Sequence, residues 1–548
     1  MKVRGYLLIV VLTLIVFPCC NLLSQIEEIE VPMSDGAKLK AVLWLPDKFR
    51  SFPVLLERTP YNRKEVVKMH KQFVDAGYAV LVQNLRGTVG SEGKWEVFKS
   101  DGWGGPGMRD GIDTVEWLKK QPWCNGNIGI MGFSASAIAG KLLLSSGIDG
   151  VKCALLVAGS DNFYDAIFEN GCYRKNTIEE WGPAKETLPE IIQHPTYDEY
   201  WEGRNAFSRA NLVKTPVYIV GGWFDIFQKS SIRYFEAVNS NPNSPANGKC
   251  KLIMHPLAHG APPGELNFED RERLNLDEKF GSFKEWFDYW LKGENNTLYE
   301  KPSVALFLMA DSNAPGNLGN KWKFFDTYPR NSKLVSLYLR GGGILSIDLP
   351  NPTDSPYSTY VYDPENPTPS LGGNNLVPPS GPYDQRELEK REDLLVFTSP
   401  PLKKEMILFG AIKVRLFAST DAKDTDFGAR FCDVYPDGRS MLMNEGMVKA
   451  RYRNTVCKED FIEPGKIYEY EIDLWDTALV LPPGHRIRLT IISASNPRYE
   501  PNPNTGEPFR RHTTTVKAKN NIYHSIEYPS AVVLPLFSED SEFDSDWF

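Results

Sequence analysis

The sequence predicts an α/β chain: a doubly wound parallel sheet with a helical cap, followed by a separate all-β domain. Three observations predict it. Strand and helix patterns alternate from about residue 28 to residue 157, the signature of a parallel sheet. Residues 127–140, NIGIMGFSASAIAG, read as a buried strand that turns sharply at Gly132-Phe133-Ser134 into a helix of small residues. Beyond about Glu300 the helical period disappears, and short strand-length runs separated by Pro, Gly and Asp turns take over.

A chain of 548 residues is too long for one core, so two or three domains are expected. A net charge of -8 argues against a nucleic-acid partner, which needs a basic face. Residues 1–25 read as a signal peptide: Lys2 and Arg4 precede an apolar run over residues 7–17. Leu22 and Ser24 supply the cleavage pattern, leaving Gln25 or Ile26 as the new N-terminus. The run is short for a bilayer-spanning helix. Cys19 and Cys20 raise lipid anchoring, but Phe17 and Pro18 suit such a signal poorly. An exported protein, periplasmic or secreted, is expected, with no stable membrane insertion after cleavage. Cys124, Cys153, Cys172, Cys250, Cys432 and Cys457 are scattered without a Cys-x-x-Cys pair, which speaks against zinc. Buried free thiols are the expectation for most of them.

In chain order, residues 28–45 read as strands split by the turn Ser34-Asp35-Gly36, and residues 53–56 start a continuous apolar strand ending near Tyr61. An amphipathic helix over 65–76 leads to a strand over 78–83. A second helix, over 110–120, points Ile112, Val115, Trp117 and Leu118 inward and leads to the strand before Ser134. The strand 151–157 is followed by an aromatic and charged insertion, about residues 159–212, expected to form a helical cap. The sheet resumes over 216–220 and 250–254, and a helix over 283–291 closes the first domain, residues 26–300.

A strand ending in Gly-x-Ser and running directly into a helix is how an α/β-hydrolase holds its nucleophile. Ser134 follows one strand, Asp225 a second and His259 a third, in the order Ser…Asp…His, each at a carboxyl edge. The chemistry requires all three types. A serine hydroxyl becomes nucleophilic when an imidazole takes its proton, and a carboxylate fixes the tautomer and stabilises the imidazolium. His255 is the rival base.

Several stretches resemble the cocaine-esterase-like acyl hydrolases, relatives of X-prolyl dipeptidyl aminopeptidases and α-amino-acid ester hydrolases. They are Arg58-Thr59-Pro60-Tyr61, Leu85-Arg86-Gly87 with Ser91-Glu92-Gly93, residues 113–118 with Gln121-Pro122-Trp123, the Ser134 turn, Gly222-Trp223-Phe224-Asp225 and His259-Gly260. The resemblance implies an oxyanion hole made of the Tyr61 hydroxyl and the Ala135 backbone N–H. Phe163, Asp165, Trp223 and Phe224 are the expected substrate contacts. The sequence departs from the family at Ala135 and Ala137, which stand where tyrosine and glycine are usual. Asn84 replaces an aspartate, a change expected to weaken pairing with Arg86.

In residues 301–548, strand runs at 304–307, 334–339, 412–417, 429–434, 467–472 and 487–492 predict a β-sandwich, which resembles the family's jelly roll. Asp424, Asp426 and Asp433 lack dense calcium-ligand spacing, and turn or inter-domain hydrogen bonds are expected of them. No metal and no cofactor is implied. The expected function is hydrolysis of a small ester, or of a short peptide, through an acyl-enzyme, with an acyl esterase favoured. X-Pro dipeptidyl-peptidase and α-amino-acid ester hydrolase activities are the alternatives. A non-catalytic glycan or ligand binder is the reading from another class. No pattern sets the oligomeric state.

Overall fold

Continuous apolar runs, rather than alternating ones, build the first half of the molecule, because both faces of its sheet are covered. The computed structural model describes residues 25–260, 263–268, 276–313, 319–537 and 547–548. The signal-peptide and lipid-anchor readings of residues 1–24 lie outside the described residues.

Ten strands form the first sheet: β1 (Gln25–Pro32), β2 (Lys38–Leu45), β3 (Phe52–Thr59), β4 (Ala79–Asn84), β5 (Cys124–Phe133), β6 (Val151–Val157), β7 (Val217–Phe224), β8 (Lys251–Ala258), β9 (Val304–Leu308) and β10 (Lys321–Phe325). Their spatial order is β1-β2-β4-β3-β5-β6-β7-β8-β9-β10. From β4 to β9 the neighbours are parallel. The β1–β2, β2–β4 and β9–β10 pairs are antiparallel. The chain steps back from β3 to β4 and then forward across β3 to β5, so a crevice opens at the carboxyl ends of β3 and β5. Tyr61 follows one of these ends and Ser134 the other.

Three expectations change here. The run 304–307, expected to begin the all-β domain, is β9; it pairs in parallel with β8, Leu252 opposite Val304. Every residue of β9 is buried, which marks an inner strand of a doubly covered sheet. The expected helix 65–76 is broken into Arg63–Val66, a 3₁₀ turn Val67–His70, and Lys71–Asp75. The helix expected over 283–291 is α-helical only over Phe283–Phe287 and passes into a π-turn at Asp288–Lys292.

Residues 159–212 hold short helices, Phe163–Ile167, Lys175–Glu180, Leu188–Ile191 and Glu199–Glu202, with a small hairpin of Phe168–Glu169 and Cys172–Tyr173. Their aromatic rings pack edge to face around Trp201, Tyr164 and Phe168.

The second half is all-β. Its backbone is the 15-residue strand Met406–Thr420, which pairs with Tyr468–Leu481, Ala518–Tyr523 and Ala531–Leu536. A bulge between Ala411 and Lys413 bends it. The aspartates find side-chain partners: Asp424 pairs with Arg451 and Asp426 with Lys449, Asp433 lies 2.8 Å from His485 Nδ1, and Asn502 donates to both Asp424 and Asp426. One apolar cluster runs from the first sheet through the second half. All six described cysteines are free thiols, and Cys153, Cys172, Cys250 and Cys432 are buried. Among the described residues no helix is long and apolar enough to cross a membrane.

Candidate active site

Ser134 sits between β5 and the helix α1 (Ala135–Ser145), with φ 56° and ψ -121°. An L-residue rarely adopts such a backbone, and holding it costs about 1–3 kcal/mol. The surroundings impose it. Ser134 N–H donates to the Val157 carbonyl at 2.9 Å, and the Ala137 N–H turns back to the Ser134 carbonyl at 3.0 Å. Gly132 lets the helix approach the strand, since a Cβ there would lie 2.6 Å from the Ser136 carbonyl carbon. The Ser136 hydroxyl is buried inside α1.

The structure brings the three expected side chains together. His259 Nε2 lies 3.0 Å from Ser134 Oγ, and its Nδ1 lies 2.8 Å from Asp225 Oδ2. The other oxygen of Asp225 accepts the Phe227 N–H at 2.6 Å, which fixes the carboxylate plane. Phe133 stacks on the imidazole with ring centres 5.1 Å apart, and Phe227 meets it edge-on at 5.5 Å. Burial of the ring opposes its protonation, but the charge and hydrogen bond of Asp225 outweigh burial and raise the His259 pKa above the ordinary value. His255 stays within β8, its ring against Trp322 with centres 4.9 Å apart. The imidazole at hydrogen-bond distance from Ser134 is that of His259.

Tyr61 Oη lies 3.5 Å from Ser134 Oγ. The indole N–H of Trp181 donates to the same oxygen at 3.1 Å. Having accepted from Trp181, the Tyr61 hydroxyl still carries a hydrogen that it can donate. The Ala135 N–H, first of α1, is one of the donors that an α-helix cannot satisfy internally. Both groups lie beside Ser134, where an oxyanion hole would need its donors. Asn84 has partners other than Arg86, and its side-chain oxygen accepts from Arg63 at 3.0 Å. Its amide donates to the carbonyls of Thr59 (3.0 Å) and Tyr61 (2.6 Å), which an aspartate cannot do. Arg86 pairs with Asp110 and Asp35 instead.

A small apolar pocket of 30 Å³ opens beside Ser134, lined among others by Ile138, Phe163, Ile167, Ile178, Trp181 and Leu376. Of the four expected substrate contacts, Phe163 lies there. Asp165 lines a neighbouring polar pocket and is paired with Arg233 at 2.7 Å. Trp223 and Phe224 do not line the serine's pocket: β7 runs through both and buries them. The Trp223 indole donates to the Phe307 carbonyl at 2.8 Å, and Phe224 stacks on Phe268. Trp181 and Leu376 are site residues that sequence reasoning misses. Their partners lie far off in the chain, and the one signal available was the aromatic richness of the cap.

Fold and site together define a serine hydrolase of the α/β-hydrolase type, acting on ester or amide bonds. Residues 35–188 and 182–261 match the model of the X-Pro dipeptidyl-peptidase family, and residues 295–533 match that of the X-Pro dipeptidyl-peptidase C-terminal non-catalytic domain. The chain is 31% identical to cocaine esterase of Rhodococcus sp. (strain MB1 Bresler), over 94% of this chain and 98% of that protein. It is 21% identical to the Xaa-Pro dipeptidyl-peptidase of Lacticaseibacillus paracasei, over 77% of this chain and 59% of that one. A solved α-amino acid ester hydrolase superposes with a TM-score of 0.81 at 23% identity, covering 94% of this chain and 97% of that one, which shows a common fold. The chain belongs to the family that holds the cocaine esterase and the X-Pro dipeptidyl-peptidases.

Proposed function

We propose that the protein is an acyl esterase that passes a small uncharged acyl group through Ser134 to water. Ser134 Oγ attacks the ester carbonyl while His259 takes its proton. Asp225 holds the imidazole and stabilises the imidazolium. Tyr61 Oη and the Ala135 N–H receive the oxyanion. His259 then gives the proton to the departing alcohol, and a water deprotonated by the same imidazole releases the acid. The apolar pocket beside Ser134 holds the acyl chain.

One observation carries the choice of ester over amino-terminal peptide. A substrate ammonium needs a buried carboxylate, since an unpaired buried charge is costly. The nearby carboxylates are already engaged: Asp161 and Asp165 by Arg233, and Glu169 by Arg174. The relative named as a cocaine esterase supports the same reading. X-Pro dipeptidyl-peptidase activity is the second reading, favoured by the family models that match both halves. A panel of short-chain aryl esters, X-Pro anilides and α-amino esters separates them. The esters are expected to lead in kcat/KM by about 100-fold or more, because a pocket without a partner for the ammonium rejects it. Preference for X-Pro or α-amino substrates would overturn the proposal. Export remains part of this proposal on the strength of residues 1–25. N-terminal sequencing of mature protein from the cell exterior or periplasm would begin at Gln25 or Ile26, and an intact Met1 there would reject it.

A further inference from the structure

The second half of the chain reaches the acid of the triad. Between the strands Tyr357–Tyr362 and Leu395–Thr398 runs a long loop rich in Pro, Gly and Asn. From it the buried side chain of Asn374 enters the first half. Its Nδ2 lies 3.0 Å from the carbonyl oxygen of Trp223 and 3.0 Å from that of Asp225. An amide NH₂ carries two hydrogens, so each carbonyl receives one.

These carbonyls bracket the turn that sets Asp225. Within it the Asp225 N–H donates to the Gly222 carbonyl at 3.2 Å. The carboxylate oxygens are then spent on the Phe227 N–H and on His259 Nδ1. A rotation of the turn would move both carboxylate contacts together. The loop that presents Asn374 is itself braced. Gly373 and Gly381 exchange backbone hydrogen bonds at 2.8 Å, and Asn375 Nδ2 donates to the carbonyls of Gly372 (3.0 Å) and Pro379 (2.6 Å). Two residues further along, Leu376 lines the pocket beside Ser134.

We propose that Asn374 is a positioning residue of the hydrolytic reaction: its carboxamide clamps the Trp223–Asp225 turn, so the second half of the chain completes the geometry of Asp225 and His259. This rests on the Ser134–His259–Asp225 reading given above. The substitution to aspartate would put an acceptor against two acceptors, and alanine would leave two carbonyls without their donor. The effect belongs in the transition state, where the imidazolium forms and Asp225 must face it. It therefore falls on kcat rather than KM.

The test uses the full chain with Asn374→Ala, Asn374→Ser and Asn375→Ala, on one aryl ester. Asn375 braces the same loop without touching the Asp225 turn. Asn374→Ala is expected to lower kcat by about 10-fold or more, with KM within about twofold. The acid limb of kcat/KM should also move to lower pH. His259 is faced by Asp225, Ser134 and the rings of Phe133 and Phe227. Asp225 is the group that holds its pKa up, and a displaced carboxylate does so less. Asn375→Ala should leave the acid limb in place. If Asn374→Ala does not fold, Asn374→Ser keeps one donor and should show a smaller change in the same direction. Wild-type kcat and acid limb in the Asn374 variants would overturn the proposal, as would the same changes in Asn375→Ala. Failure of the triad reading would look different: a fluorophosphonate probe would leave Ser134 of the wild-type protein unlabelled.

Discussion

Ser134 and Ser136 have the same side chain and opposite prospects, because backbone geometry separates them. Ser134 stands at the apex of the turn at 3.0 Å from an imidazole, and Ser136 is buried in the helix. Ser134→Ala is expected to lower kcat by about 10⁴-fold or more without loss of Tm, and Ser136→Ala to keep turnover. Steady-state kinetics with a thermal melt decides it; a dead Ser136→Ala beside an active Ser134→Ala would place the nucleophile elsewhere. Tyr61→Phe keeps the ring and removes the oxyanion donor, so kcat should fall by about 100-fold with little change in KM. An unchanged kcat would remove Tyr61 from the site. The pH profile carries a signed prediction. Only neutral His259 accepts the Ser134 proton, and its pKa is raised, so the wild-type acid limb lies above the ordinary imidazole value. Asp225→Asn removes what raises it while burial still lowers it. The residual activity should then show an acid limb at lower pH and a kcat about 10³–10⁴-fold down. An acid limb that stays put would mean another group titrates.

At the scale of an element, the strand–turn–helix around Ser134 works through close backbone approach. Gly132→Ala would push a Cβ to 2.6 and 2.7 Å from backbone atoms of Ser136 and Ala137, atoms that no side-chain rotation can relieve. Turnover and Tm should both drop. Gly105→Ala, where a Cβ meets nothing within 4 Å, is the control and should be close to neutral. Equal behaviour of the two variants in melts and kinetics would refute the close-approach argument. The same helix buries Lys141, whose ammonium donates to the carbonyls of Gly159 (2.6 Å) and Ser230 (3.3 Å). Its burial lowers its pKa to about 8, and the helix is thereby tied to the segments that follow β6 and β7.

Over the whole molecule the two halves are joined by buried polar contacts as well as apolar ones. Glu169, on the cap hairpin, accepts from Arg174, from the Trp475 indole and from the Tyr499 hydroxyl. Its pKa is lowered because, although burial opposes ionisation, Arg174 and the other cations around it prevail. Lys229, whose charge acts on Glu169, pairs with Asp473 at 2.7 Å, and at the surface Arg330 pairs with Glu236 at 2.7 Å. Glu169→Ala leaves Arg174 buried without its carboxylate, a change that costs about 3–5 kcal/mol. Thermal unfolding should show a clear drop in Tm, and an unchanged Tm would mean that the cap is not held to the second half through Glu169.

The sequence by itself determined the strand–helix alternation of the α/β half and the order of the three chemical residues, while the strands expected over 216–220 and 250–254 run on to Phe224 and Ala258. Continuous apolar runs such as 151–157 can be read locally. It also determined the apex at Ser134, since a Gly-x-Ser turn is a matter of neighbouring residues. Tertiary structure decided the rest. Residues 304–308 have a strand's pattern, but only pairing with β8 assigns them to the first sheet. Phe163 lines the pocket beside Ser134 while Trp223 and Phe224 do not, because β7 runs on through both. Trp181 reaches Tyr61, and Asn374 reaches Asp225, across 120 and 149 residues of chain. Periodicity and turn chemistry act over a few residues, whereas a hydrogen bond across such a separation exists only once packing has brought its two ends together.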